Sequence, residues 1–243
     1  MAPINNKNFC FIGLKITTFE PMSQRLLVGV FSAVLCLISC NSTTRNPGNI
    51  PGQAKALKPG DIVFQDLDCG PMCEAIEAVT EGANGRDYSH CAMIIQEGDS
   101  FKVIEAIGEG VVVTSLQDFV RRSSKIQVAR FKQADNAFLQ RAIRYAISLK
   151  GKPYDDVFLL NNDRYYCSEL LYEAFKVANF GKEVFELSPM TFKEPNTHEF
   201  YPVWVDYYSQ LKCPIPEGKP GLNPGSISRS KNLELLEISV LPE

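Results

Sequence analysis

Between Ser89 and Thr114 the chain runs through three short apolar segments separated by glycine-bearing turns. Ser89 to Gln96 and Phe101 to Ala106 meet around Glu97-Gly98-Asp99, and Gly108-Glu109-Gly110 leads into Val111-Val112-Val113-Thr114. Connections this brief join antiparallel neighbours, because a parallel crossover needs about a dozen residues or more. Ile62-Val63-Phe64, entered through the turn Lys58-Pro59-Gly60-Asp61, and Ile126 to Phe131 read as further strands. Three stretches around them read as helices. Pro71 to Thr80 has proline in its first turn and Ile76 and Val79 on one face. Leu116 to Arg121 follows the capping residue Ser115, with Asp118 three residues on. Ala137 to Leu149 carries Phe138, Ala142, Tyr145, Ala146 and Leu149 on one face and ends at Gly151 and Pro153. Helices grouped at the ends of a mainly antiparallel set of strands define an α+β chain. Ser188 to Pro224 reads as proline-rich loops, followed by a last apolar stretch from Leu233 to Val240.

One further helix carries the most chemistry. In Asp163-Arg164-Tyr165-Tyr166-Cys167-Ser168-Glu169-Leu170-Leu171-Tyr172-Glu173-Ala174-Phe175, irregular chain gives way to helical spacing at Leu170, Leu171, Ala174 and Phe175. Cys167 therefore sits at a helix N-terminus. There the macrodipole and the unpaired N–H groups favour a thiolate. A thiol in that place is either a small buried hydrophobe or a nucleophile, and the choice depends on a base.

The chain has two histidines. His90 opens Cys91-Ala92-Met93-Ile94-Ile95, where a period of two puts His90, Ala92 and Ile94 on one face and Cys91, Met93 and Ile95 on the other. A base needs an acceptor on its second ring nitrogen. Glu105, at the end of the apolar run Phe101-Lys102-Val103-Ile104, offers one, and pairing would relieve a carboxylate there of its desolvation cost. The competing base, His198, lies in the irregular Glu194-Pro195-Asn196-Thr197-His198-Glu199-Phe200. Cys69-Gly70-Pro71-Met72-Cys73 lacks the second ligand pair of a structural zinc site and reads as a disulfide or packed thiols, so no metal and no cofactor are expected. No phosphate-binding loop or serine elbow occurs.

The first 40 residues read as an export signal. Met22-Ser23-Gln24-Arg25 is a short basic start, with Met22 a candidate true initiator, and Leu26 to Ile38 is an apolar core too short to span a membrane. Leu37-Ile38-Ser39-Cys40 resembles a bacterial lipobox, which makes Cys40 the expected lipidation site and residues 41–53 a flexible tether to a single domain over 54–243. Removing Lys7, Lys15, Arg25 and Glu20 with the signal takes the formal charge from −3 to −5. With no basic stripe, nucleic acid is not an expected partner. The expected address is the bacterial envelope, on a membrane through the anchor, facing the periplasm or the cell surface. Of the eight cysteines, Cys69, Cys73, Cys91, Cys167 and Cys213 remain in the domain, an odd number that leaves at least one thiol free.

Gly151-Lys152-Pro153-Tyr154-Asp155 with Tyr166-Cys167-Ser168-Glu169-Leu170 resembles the permuted papain-like amidases of the YiiX/YaeF type, relatives of the NlpC-type cell-wall cysteine peptidases. Lys58-Pro59-Gly60-Asp61-Ile62-Val63-Phe64, Tyr88-Ser89-His90 and Val103-Ile104-Glu105-Ala106 agree in the same order, and the stretch Pro224 to Ser230 extends the likeness. The histidine precedes the cysteine, which is the permuted order. The resemblance implies a small antiparallel sheet or barrel packed on helices, with Cys167 as nucleophile, His90 as general base and Glu105 orienting His90. Tyr88 and Tyr154 match positions near the cleft and are expected to contact substrate. The implied activity is hydrolysis of an amide in cell-wall peptide material. A lipid-directed amidase or acyltransferase is a second implied activity, with Met72, Ile76 and Val79 as a candidate acyl groove. A non-catalytic peptide- or lipid-binding lipoprotein is the reading from another class.

Overall fold

A computed structural model describes residues 56–237. Cys40, the signal, the tether and the end of the last apolar stretch lie outside them. Six antiparallel strands form the main sheet. These are β1 (Ile62–Gln65), β2 (His90–Glu97), β3 (Ser100–Ile107), β4 (Gly110–Ser115), β5 (Ile126–Phe131) and β8 (Leu233–Leu236), in the order β4-β3-β2-β1-β5-β8. The hairpins fall where the glycines put them, with Glu97 opposite Ser100 and Ile107 opposite Gly110. Gly110, at φ 104°, has no room for a side chain, because a Cβ there would meet the Lys152 carbonyl. That carbonyl accepts from Val111 N at 2.9 Å, tying the start of β4 to the loop that leads toward Cys167.

Both faces of the sheet are buried, which is why β1 reads as a continuous apolar run rather than as an alternation. One face, with Ile62, Phe64, Cys91, Met93 and Ile104, packs on α3 (Asn136–Ser148) and α4 (Cys167–Ala178). Most of the 12 residues of α4 are buried, among them Leu170, Leu171, Ala174 and Phe175, each at 0 % exposure. A leucine or phenylalanine side chain stabilises by about 1.5–3 kcal/mol when fully buried, so α4 is held by its packing. The other face, with Val63, Ala92, Ile94 and Val103, is covered by Phe119 and Val120 of α2 (Leu116–Arg121). Ser115 caps α2 as expected, accepting from Asp118 N at 3.0 Å. Asp61, just before the central strand β1, is paired with Arg130 of β5 at 2.7 Å.

Two helices lie in and directly after the 188–224 region read from sequence as proline-rich loops. They are α5 (Pro202–Leu211) and α6 (Pro224–Ser228), with a short ribbon of β6 (Ser188–Pro189) and β7 (Pro220–Gly221). Both helices begin on proline, which suits a first turn whose N–H groups have no helical partner. Trp204, Tyr207 and Tyr208 of α5 form a third apolar cluster with Phe192 and with α1 (Pro71–Ala78). Most of its ring contacts are edge-on, as between Phe192 and Trp204 at 5.1 Å and 89°. Helix α1 is tied back by a Cys69–Cys73 disulfide, while Cys91, Cys167 and Cys213 are free. Among the described residues no helix is long and apolar enough to cross a membrane.

Candidate active site

Tyr166 holds an extended conformation (φ −92°, ψ 169°), and Cys167 is the first residue of α4. No side chain caps this N-terminus, so its N–H groups still face outward from the helix end. The preceding loop is clamped by its own backbone. Asp155 N donates to Tyr165 O at 3.3 Å, and the Asp155 carboxylate accepts from Val157 N at 3.1 Å and Leu159 N at 2.7 Å. On the other side, Ser168 Oγ donates to Leu222 O at 2.9 Å, fixing the first turn to the C-terminal segment.

His90 starts β2 and is 1 % exposed. Its Nε2 lies 2.7 Å from Glu105 Oε2 on the neighbouring strand β3. The fully buried carboxylate also accepts from Arg122 at 2.6 Å and from Thr114 Oγ1 at 2.5 Å. Burial opposes its charge, but His90, Arg122 and Thr114 outweigh burial and hold Glu105 at about 2. Burial likewise opposes a charged His90. The Cys167 sulfur and the Glu105 carboxylate overcome that and raise His90 to about 9. With Nε2 committed to Glu105, Nδ1 is the ring nitrogen left for the sulfur.

The Cys167 thiol is held well below the ordinary cysteine value. The Cys91 thiol contributes most to this; burial works against it, and His90 adds to the lowering. Burial, and then the charge on Cys167, push Cys91 well up, so it stays a protonated donor. Glu169, two residues beyond Cys167, adds no negative charge near pH 7, because burial and then Asp155 push it up to about 9. The arrangement therefore favours a thiolate beside an imidazolium, with a carboxylate behind the imidazolium.

Cys167 opens onto a cavity of about 190 Å³ between α1, α4, α5 and the 188–229 segment. Tyr154, Ile76 and Val79 line it. Met72 and Tyr88 are not among its lining residues. Met72 packs in the α1–α5 cluster, and Tyr88 is buried in the main core 5.2 Å from Phe64. Tyr88 lies in the loop two residues before β2, and its ring packs on the same side of the sheet as Cys91 and Met93. His198 is exposed at φ 59° and lines a different groove, with Glu194 and Lys193. It is not brought to Cys167. Cys91, Arg122 and Thr114 join the site without having been singled out in the sequence. Alternation placed Cys91 on the face opposite His90, and it does lie on that face. What brings it to the sulfur is α4 docking over the start of β2. Among the described residues no group of three or more His, Cys, Asp or Glu side chains is arranged to hold a metal ion.

An antiparallel sheet with a cysteine-headed helix on one face, and a histidine strand earlier in the chain, defines a permuted papain-like protein. Residues 56–237 match the family described as permuted papain-like amidase enzyme, YaeF/YiiX, C92 family, and the chain belongs to it. It is 29 % identical over 137 residues to the uncharacterized protein YiiX of Escherichia coli strain K12, covering 54 % of this chain and 63 % of that protein. The crystal structure of yiiX from Escherichia coli O157:H7, titled a metalloprotein, superposes with a TM-score of 0.61 at 27 % identity. That match covers 73 % of this chain and 95 % of the solved one.

Proposed function

We propose that this protein is a cysteine amidase or peptidase in which Cys167 is the nucleophile, His90 the general acid and base, and Glu105 the residue that orients His90. The observation carrying this reading is a buried His90–Glu105 pair, 2.7 Å apart, beside a cysteine that heads an uncapped helix, a setting that depresses the thiol and raises the imidazole. The Cys167 thiolate attacks an amide carbonyl, and the oxyanion that forms is met by the Cys167 backbone N–H at the uncapped start of α4. Imidazolium Nδ1 gives its proton to the leaving amine as the C–N bond breaks, leaving a thioester. His90, now neutral, takes a proton from water as the hydroxide adds, and the thiolate departs. The solved relative is described as a metalloprotein, but among the described residues here no three metal-ligating side chains come together.

The proposed substrate is an amide of cell-wall peptide material, reached from a lipid anchor at Cys40 in the envelope. The apolar lining of the cavity, with Ile76, Val79, Phe192 and Leu222, favours a second reading in which the acyl side is a lipid chain. Purified protein incubated with muropeptides and with N-acyl lipids separates the two, with Cys167→Ala as the control. Loss of nucleophile is expected to cost about ten-thousandfold or more. Activity that survives Cys167→Ala sinks the mechanism. Binding without cleavage of either substrate favours a non-catalytic lipoprotein. Anchoring is tested by Cys40→Ser, which should release the protein from the membrane fraction.

A further inference from the structure

Of the residues lining the cavity beside Cys167, Arg229 is the one with a charged side chain, and no carboxylate lines it. Arg229 is exposed at the C-cap of α6, and its backbone N–H donates to Gly225 O and Ile227 O. Its guanidinium has no hydrogen bond or ion pair among the described residues. By contrast, Arg122 and Arg130 are each matched to a buried carboxylate.

The backbone under Arg229 is built to stay where it is. Asn223 and Ser226 form a reciprocal cap at the start of α6, with Asn223 Oδ1 accepting from Ser226 N at 2.7 Å. Ser228 Oγ accepts from Ala83 N at 2.9 Å and donates to Gly225 O at 2.7 Å. Gly225 lies so close to the Thr80 carbonyl that a Cβ would collide with it. A cation carried on a fixed backbone at the rim of an apolar cavity is complementary to a ligand with an apolar part and a negative charge.

Resting on the amidase reading, we infer that the substrate is an amide carrying both an apolar group and a free carboxylate, and that Arg229 is the specificity-determining residue that pairs with the carboxylate. A guanidinium binds a carboxylate through two parallel N–H···O bonds, a geometry that lysine reproduces only in part. A free peptide terminus and an N-acyl amino acid share this chemistry. The two are told apart by offering a wall tripeptide and an N-decanoyl amino acid, each as acid and as carboxamide.

The test uses the full chain and two covalent probes, N-chloroacetyl-phenylalanine and its carboxamide, which alkylate a cysteine with loss of chloride and need no hydrolysis. Mass spectrometry follows labelling of Cys167 in wild type, Arg229→Gln and Arg229→Lys. The acid should label faster than the carboxamide in wild type by about two- to fivefold at low salt, because an exposed pair is screened. Arg229→Gln should remove the preference, and Arg229→Lys should restore part of it. In wild type alone, the preference should shrink as salt is raised, a readout that needs no variant to fold. Equal labelling by acid and carboxamide in wild type, or a preference unchanged in Arg229→Gln, overturns the inference. A preference that follows Arg229 while no amide is hydrolysed supports the inference and counts instead against the amidase reading.

Discussion

Replacing Glu105 by Gln tests the electrostatics of the site with little change of shape. Oε2 accepts from both His90 and Arg122, while Oε1 accepts from Thr114 Oγ1. A glutamine carbonyl can keep the first two bonds, and its amide can donate to the threonine hydroxyl, so what is lost is mainly the charge. The fall of Glu105 from 4.5 to about 2 on folding corresponds to about 3 kcal/mol, at about 1.4 kcal/mol per tenfold change in acidity. Because the folded value is the lower one, this stability is fully present above pH 4.5 and is lost as pH falls through about 2. His90 has the opposite sign. Its folded value of about 9 lies above 6.5, so its share is present below pH 6.5 and is lost as pH rises through about 9. The two describe one contact and are not added. Urea unfolding near pH 6 should therefore find Glu105→Gln less stable than wild type by about 3 kcal/mol, with the gap closing toward pH 2. Alkylation of Cys167 by iodoacetamide should begin at higher pH in the variant, because a less basic His90 supports the thiolate less. A stability difference below about 1 kcal/mol near pH 6, together with an unmoved alkylation profile, refutes the account, since breaking a buried pair should cost more.

Cys91→Ala removes the strongest support of the Cys167 thiolate and should move the onset of alkylation upward, whereas Cys91→Ser, which keeps a donor, should move it less. If amide hydrolysis is found, its rate should trace a bell whose upper limb falls near pH 9, where His90 loses its proton; a rate still rising beyond that pH contradicts the assigned acid. Leu170→Ala, at a fully buried position in α4, should cost about 2–5 kcal/mol in denaturant unfolding. Reducing the Cys69–Cys73 bridge, which closes a loop with a sequence separation of 4, should cost about 2 kcal/mol by chain entropy. It should leave the alkylation profile of Cys167 in place.

The sheet and the helix that begins at Cys167 were legible because each element carries its own signal: hairpin glycines, a period of two, and helical spacing after Tyr166. Glu105 could be placed on the strand beside His90 because hairpin neighbours are also neighbours in the sheet. Arg122 could not. It lies just past a short helix, and its approach to Glu105 depends on how α2 folds back over the sheet. Cys91 was legible as a β2 residue but not as a neighbour of Cys167, since helix docking is a tertiary event. Helix α5 was missed although its signal was present: Pro202 at the first turn, then Trp204, Tyr207, Tyr208 and Leu211 at helical spacing. The prolines on either side of it dominated the reading. Helix α6 has five residues, too few for a periodicity to register.

The site draws its two properties from different parts of the chain. Residues on β2, β3 and α4 set how reactive the sulfur is, and they are locked into the sheet and its packed helices. The chamber in front of the sulfur is walled largely by α1 and the 188–229 segment, whose loops, ribbon and short helices contribute little to the main core. Mutation can therefore rewrite the chamber without disturbing the thiolate. A lineage built on this plan is free to change its diet while keeping its chemistry, and the diversity of its substrates should be written in that segment.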